Sequence, residues 1–491
     1  MLLAGRLICA GVAFETAQPD WSSAAAPEDA LAELHSFAWL DDLAELGRRD
    51  ARERGRALAT SWVHAAAAWN PVAWQPEILA TRIVAWLSHA RFLFADADDR
   101  VVASLLGSLS EQVRHLVRTA NSSAPGVARL VVAKALVYAG LCGFGRRPMR
   151  RGLGILTREL PVQVLPDGGH VERCPERHAR ALATLVDIAG MLAVGAAATP
   201  PRLTEAIAAM TPILRLFRHG DGGLAHFNHG KWLSPALIDV LLSRAAVRAD
   251  PPMEAPSAGF VRLAAGDTLL LVDAGAPPPA PFDRQAHGGT LSFEMSSRRE
   301  RLVVNCGARD DGAWRDAARA TAAHSTVVVN DTNSSELLAN GIGRRPTHVD
   351  RRVESADGNH WVTASHDGYR SNFDVLHRRR IYVAADGNDI RGEDTLTGGS
   401  GDFAVRFHLH PDVRASLVQN AAAVLLQTAA GSAWRMQANG TLRLAESVYF
   451  GDGSAPRRSE QIVLTGTHGG GETVVKWAFR SIARAKAAGS A

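Results

Sequence analysis

The chain has 491 residues, enough for two or three domains and a sizeable core, and its 46% hydrophobic and 21% charged content is ordinary for a globular protein. The formal net charge of +4 is spread over arginine-rich turns, the densest being Arg378-Arg379-Arg380 and Arg298-Arg299-Glu300-Arg301. Such short runs read as solvated strand ends rather than a nucleic-acid footprint, although a local basic cleft could still meet an acidic substrate.

The N-terminal stretch MLLAGRLICAGVAFETAQ breaks its apolar run at Arg6 and has no basic region before it. It is a poor signal peptide and too short to span a membrane, so the expected compartment is the cytoplasm, with the periplasm as the alternative and no membrane partner. Cys9, Cys142, Cys174 and Cys306 lie far apart without a CxxC spacing, which argues against a disulfide framework or a zinc knuckle.

From about residue 30 to 245 the apolar period is helical. Leu79, Ile83, Trp86, Ala90 and Leu93 fall on one helix face, as do Val102, Leu105, Leu109, Val113 and Leu116, and again Leu182, Leu185, Ile188 and Leu192. Breakers at Pro71, Pro76, Pro125-Gly126, Pro166 to Gly169 and Pro200-Pro201 separate helical hairpins that pack as a bundle, a solenoid or a closed ring. Two loops in this half carry chemistry. PDGGHVERCPERH, residues 166–178, gathers His170, Glu172 and His178, with Glu172 as a plain helix cap in the alternative reading. RHGDGGLAHFNHGKW, residues 218–232, joins His219, His226 and His229 to Asn228, Phe227 and Trp232, a set suited to sugar stacking and carboxylate contact.

The stretch ADPPMEAPS near residue 250 marks the domain boundary, and beyond it the period becomes two. Short strands are expected at 268–272, 291–295, 302–304, 326–329, 380–383, 403–409, 423–427 and 473–478, the pattern of a large antiparallel sandwich. In QAHGGTLSFEMSSRRERLVVNCG, residues 285–307, His287 opens one strand and Asn305 closes the next, and His324 opens a third in TAAHSTVVVN. If these strands are neighbours, two imidazoles and an amide oxygen converge at one sheet end, a donor set zinc accepts, with framework histidines as the alternative. In FAVRFHLH, residues 403–410, alternation turns Phe403, Val405, Phe407 and Leu409 inward and places Arg406, His408 and His410 on the other face, where they form a polar surface or chelate a metal. GxGxxG, GxxxxGK[ST], HExxH and GxSxG are missing, which removes support for nucleotide enzymes, zinc peptidases and common esterases.

With these pieces located, the chain resembles the heparinase II/III family of polysaccharide lyases and its bacterial relatives. The resemblance rests on PDGGHVERCPERH, AHGGTLSFEM, LVVNCG, AAHSTVVVNDTNSS and SHDGYRSNFDVLHRRRIYV, and it covers most of the chain after Trp39. It implies an N-terminal incomplete (α/α) toroid over residues 1–250 and a C-terminal antiparallel β-sandwich over residues 251–491. It also implies β-elimination on a uronate-bearing, glycosaminoglycan- or alginate-like anionic polysaccharide or oligosaccharide. That reaction needs a carboxylate neutraliser, a base and an acid.

The family's zinc-binding histidines match His287 and His324, with Asn305 where the family has Asp, so a structural zinc is the implied cofactor. The family's catalytic His falls at Gln285, its toroid Asn-His at Asn121-Ser122, and its Tyr at Arg177. His170, His229 and Tyr369 are therefore the expected substitute acid/base groups. Arg177, His226, Asn228 and Trp232 are expected to bind substrate. The competing expectations are a catalytically silent carbohydrate-binding relative and a helical scaffold for protein partners.

Overall fold

The structure is a computed structural model and describes residues 5–482 apart from 18, 23–24, 67–68, 311 and 454. It divides into two compact units: residues 1–162 with 183–205, and residues 163–182 with 206–491.

The first unit is helical. Helices Pro76–Ser88 and Asp99–Thr119 bury apolar stripes read from the sequence, including Leu79, Ile83, Trp86, Leu105, Leu109, Val113 and Leu116. One stripe is divided: the first of these helices stops at His89 (φ −104°, ψ 20°) and a separate helix runs Ala90–Phe94. His89 Nε2 meets Asp41 Oδ1 at 2.5 Å, a contact between distant segments that apolar spacing does not register. Trp21, Phe37, Trp62 and Trp86 pack together, with Phe37 edge-on to both Trp62 and Trp86. Arg82 lies fully buried over the Trp62 ring at 4.1 Å and donates to Gln112 Oε1, His35 O and Ala73 O, so its charge is solvated by the fold itself.

The second unit is built on two antiparallel sheets. One has eight strands, with Asn359–Tyr369, Val375–Val383, Asp389–Gly398 and Gly471–Ile482 consecutive within it. The other has nine, and Gly401–Leu409, Glu300–Val304, Phe293–Ser297 and Thr268–Asp273 lie side by side within it. Their inner faces supply one apolar core, in which Phe293 of the second sheet stacks on Trp477 of the first at 5.4 Å and 5°. Asp394 is buried in that core and takes bonds from Arg379 Nε (2.7 Å), Trp477 Nε1 (2.9 Å) and His377 Nε2 (2.8 Å). Arg379 also donates to Leu291 O and Ser325 O, both at 2.8 Å, so a paired charge inside the core fixes two loops that lead to the site.

All eight expected strand regions are extended, some with shifted ends. The strand expected at 291–295 runs Phe293–Ser297, because Leu291 takes a left-handed turn (φ 63°) to satisfy that Arg379 contact. His287 and His324 accordingly lie in the loops ahead of their strands and not at the strand starts. Phe403, Val405, Phe407 and Leu409 face inward as alternation required. The opposite face of that strand is covered too: His408 is buried, bonded to Ala322 O (2.9 Å) and Ser447 Oγ (2.8 Å), so it forms neither a polar surface nor a chelating pair with His410.

Candidate functional site

Both histidine-rich loops of the helical half belong to the unit built on the sheets. Arg173 (φ 50°) holds the first. Its guanidinium donates to the carbonyls of Ala258, Gly259, Gly275 and Ala276 and pairs with buried Asp273. Gly275 makes this approach possible, since a Cβ there would stand 2.5 Å from Arg173 Nη2.

Glu294 holds the second loop. It interrupts an apolar strand and accepts from His226 N–H at 3.0 Å and Asn305 Nδ2 at 3.2 Å, while its other oxygen meets His219 Nε2 at 3.0 Å. Burial pushes the Glu294 carboxyl up, but the His219 bond and nearby positive groups outweigh it and hold the group at about 2.

The loops bring His229 to His287 and His324. Asp310 Oδ1 lies 2.7 Å from His229 Nε2. His229 Nδ1 faces His287 Nε2 at 3.4 Å, His287 Nδ1 faces His324 Nε2 at 3.1 Å, and His324 Nδ1 donates to Ala320 O at 2.8 Å. The rings meet edge to face. Two features hold the lead-in loop in place. Arg319, buried, donates to Ala286 O, Leu338 O and Gly341 O. Gly289 lies against the His324 ring, where a Cβ would come within 2.7 Å.

Burial depresses all three imidazoles, His287 well below its usual range with help from its two neighbours, and His324 to about 4. They are therefore neutral at pH 7, and proton counting follows. Both ends of the chain, the Asp310 carboxylate and the Ala320 carbonyl, can only accept. Three ring protons must serve four contacts, so one contact is without a proton, and the longest, His229 to His287, fits that role. A single added proton completes the chain, with Asp310 as its counter-charge.

Asp310 also pairs with Lys231, and both are about two-fifths exposed. Burial raises the Asp310 carboxyl, but hydrogen bonds from His229 and Lys231 win and hold it well below the carboxylate range. Arg177, a third exposed, pairs with Glu176 at 3.5 Å and lies 4.0 Å from Glu172. Its charge lowers both His170 and His229. Lys231 and His229 thus offer Asp310 donors that an incoming carboxylate or sulfate could share, and the Arg177 charge feels Asp310 without pairing with it.

The remaining predicted residues are placed as follows. His226 is buried with Nδ1 on Gly230 O. Asn228 bridges the Arg173 carbonyl and the His287 amide, and Trp232 stays half exposed. His170 is buried with Nε2 at Gln163 Oε1 (3.1 Å), burial pushes it down to about 3, and no hydrogen bond or ring contact joins it to His229. Tyr369 lies in the sandwich core, where its hydroxyl donates to Val327 O at 2.7 Å and burial raises the phenol far above its usual range. Each member of the expected acid/base trio is thus bonded to a different partner: His170 to Gln163, His229 to Asp310 and Tyr369 to a core carbonyl.

Of the expected zinc set, His287 and His324 meet, but the Asn305 amide is committed, its oxygen to Ser325 N–H (3.0 Å) and its nitrogen to Glu294. Among the described residues no group of three or more His, Cys, Asp or Glu could hold a metal ion. His287, His324 and Asn305 are thus bonded into the fold here, the imidazoles to each other and the amide to Ser325 and Glu294. Sequence reasoning missed Asp310, Lys231, Glu294, Arg173 and Arg319. Only Glu294 carried a local signal, a carboxylate inside the apolar run LSFEM.

A family model described as Heparinase II/III-like, C-terminal, matches residues 248–478. FtsZ-localized protein C of Caulobacter vibrioides (strain NA1000 / CB15N) is 32% identical over 483 residues, covering 94% of this chain and 82% of that protein. Among solved structures, a heparinase III matches with a TM-score of 0.79 at 14% identity, over 94% of this chain and 79% of its own. Heparan sulfate lyase HepC from Pedobacter heparinus gives 0.66 at 16%, over 99% and 82%. The Streptomyces coelicolor A3 chondroitin AC lyase, in complex with chondroitin sulphate, gives 0.57 at 12%, over 94% and 76%. The fold is thus that of the helical toroid and β-sandwich lyases.

Proposed function

Because the chain belongs to the heparinase II/III-like family, we propose that it is a catalytically silent member, one that binds anionic carbohydrate around Arg177, His229 and Lys231 and localises with FtsZ. The observation that carries this reading is the fate of the acid/base groups: Tyr369 donates to a backbone carbonyl inside the core, and His170 is sealed against Gln163. The alternative, β-elimination on a uronate chain, asks for a base and an acid on opposite sides of one glycosidic bond beside a neutralised carboxylate. Of the expected trio, only His229 is bonded directly to an exposed charged group, the Asp310 carboxylate. Gln285, Ser122 and Arg177 at the family's catalytic positions support the same conclusion.

The anion site survives the loss of chemistry. Arg177 and Lys231 are partly exposed cations, and the neutral imidazole chain gains charge only by taking a proton. The FtsZ part of the proposal rests on the Caulobacter relative, whose name states a location rather than a reaction.

Titration calorimetry with a chondroitin sulphate hexasaccharide tests the site. Arg177→Ala and Lys231→Ala are each expected to weaken binding about tenfold while leaving the fold intact. Binding unchanged in both variants would remove the site. A fluorescent fusion that stays diffuse when FtsZ forms its ring would remove the localisation.

A further inference from the structure

The outer face of the eight-stranded sheet carries a cleft of about 800 Å³. Strand register shows how it is made. Trp361 pairs with Tyr382, Tyr382 with Arg391, Arg391 with Ala478, and Ala478 with Gln437, so these five form one row perpendicular to the strands. The row crosses four inter-strand spacings, about 19 Å. A neighbouring row runs Arg380, Glu393, Lys476. On the other side Asp389 pairs with Arg480.

The alternate residues Ile381, Gly392 and Trp477 point into the core, so both rows face outward. Trp361 and Tyr382 lie 5.2 Å apart at 45°, and Arg391 sits over the Tyr382 ring at 5.7 Å. Asp389 is shared by Arg391 and Arg480, and Glu393 lies 3.9 Å from Lys476. Among the described residues no ion pair engages Arg380. Four cations against two carboxylates leave the cleft positive.

We propose that this face is a second binding site, independent of the Arg177 cluster, for an anionic oligosaccharide. Sugar faces stack on Trp361 and Tyr382, and acid groups pair with Arg380 and Lys476. The charge pattern selects this occupant over other polyanions. Glu393 stands between the two cations, and a ligand charged at every unit, such as a nucleic acid or an oligoglutamate, sets an anion against it. A saccharide whose charged units alternate with neutral ones presents a hydroxyl there, and the carboxylate accepts its hydrogen bond.

The test uses the full chain and three probes: a chondroitin sulphate hexasaccharide, an oligoglutamate and a single-stranded oligothymidylate. The double variant Trp361→Ala/Arg380→Ala changes exposed or half-exposed side chains and is checked for an unaltered thermal transition. Calorimetry is expected to find a class of hexasaccharide sites that this variant weakens at least tenfold and that Arg177→Ala leaves intact. Salt should weaken the same class. Hexasaccharide binding identical in wild type and double variant overturns the proposal. So does tighter binding of either other probe that is lost in the double variant. If the Arg177 site fails instead, Arg177→Ala has no effect anywhere while the double variant still removes its own class.

Discussion

At the scale of single residues, charge placement separates groups that hold the structure from groups free to bind. Arg173 and Asp273 are a buried pair, each almost fully enclosed. Removing the arginine strands a carboxylate among apolar groups, so Arg173→Ala is expected to cost roughly 3–5 kcal/mol in chemical denaturation. Arg177→Ala, at a side chain a third exposed, should cost no more than about 1 kcal/mol, and the contrast between the two is the check. Asp310 makes a sharper case. It occupies the donors an anionic ligand would use, so Asp310→Asn is expected to raise affinity for a chondroitin sulphate oligosaccharide roughly three- to tenfold, an effect that fades at high salt. Weaker binding in that variant would mean that Asp310 contacts the ligand instead of competing with it. Little of this was legible beforehand. His229 and Asp310 are 81 residues apart, and no spacing or composition rule links them.

Elements were far more legible, because the periods that define them are local. Alternation located all eight strand regions, and Ala423–Gln427 matched to the residue. It failed where a tertiary contact imposed a turn, as at Leu291 beside Arg379 and at His89 beside Asp41. It could not foresee that the outer side of strand Gly401–Leu409 would be covered, which turned a surface histidine into a buried one.

Glycines give a test at this scale. Gly392 lets the Trp477 indole cross its strand, and a Cβ would come within 2.0 Å of the ring. Gly392→Ala is expected to destabilise by about 1–3 kcal/mol and to alter the near-ultraviolet dichroism of the tryptophans. Gly190, inside helix Pro175–Val194 with nothing within 4 Å of its added Cβ, should behave oppositely, and Gly190→Ala is expected to stabilise by about 0.5–1 kcal/mol.

For the whole molecule, buried histidines set the acid limit. Burial lowers His170 and His408 to about 3 and His178 and His324 to about 4, against an ordinary value of 6.5. Below pH 6.5 the unfolded chain takes up protons that these rings refuse when folded, so stability falls as pH drops through the window from 6.5 to about 4. The slope is about 1.4 kcal/mol per pH unit for each such ring. The depressed carboxylates Glu294, Asp310 and Asp394 add their own loss only below their unfolded range, near pH 4. Thermal transitions recorded from pH 8 to 4 should therefore be flat at first and then fall steeply below about 6.5.

The fold itself was readable because the sequence islands, a helical half and a sandwich half, occur in a family-specific order. The chemistry was not, because it depends on which acid reaches which imidazole. Whether this lyase fold is without lyase chemistry is decided by one measurement. Purified protein at high concentration is incubated with heparan sulphate, chondroitin sulphate and alginate, and the ultraviolet absorbance of an unsaturated uronate is followed for hours. A flat trace is expected on every polymer. A rising trace that disappears in His229→Ala would contradict it and restore cleavage to this site.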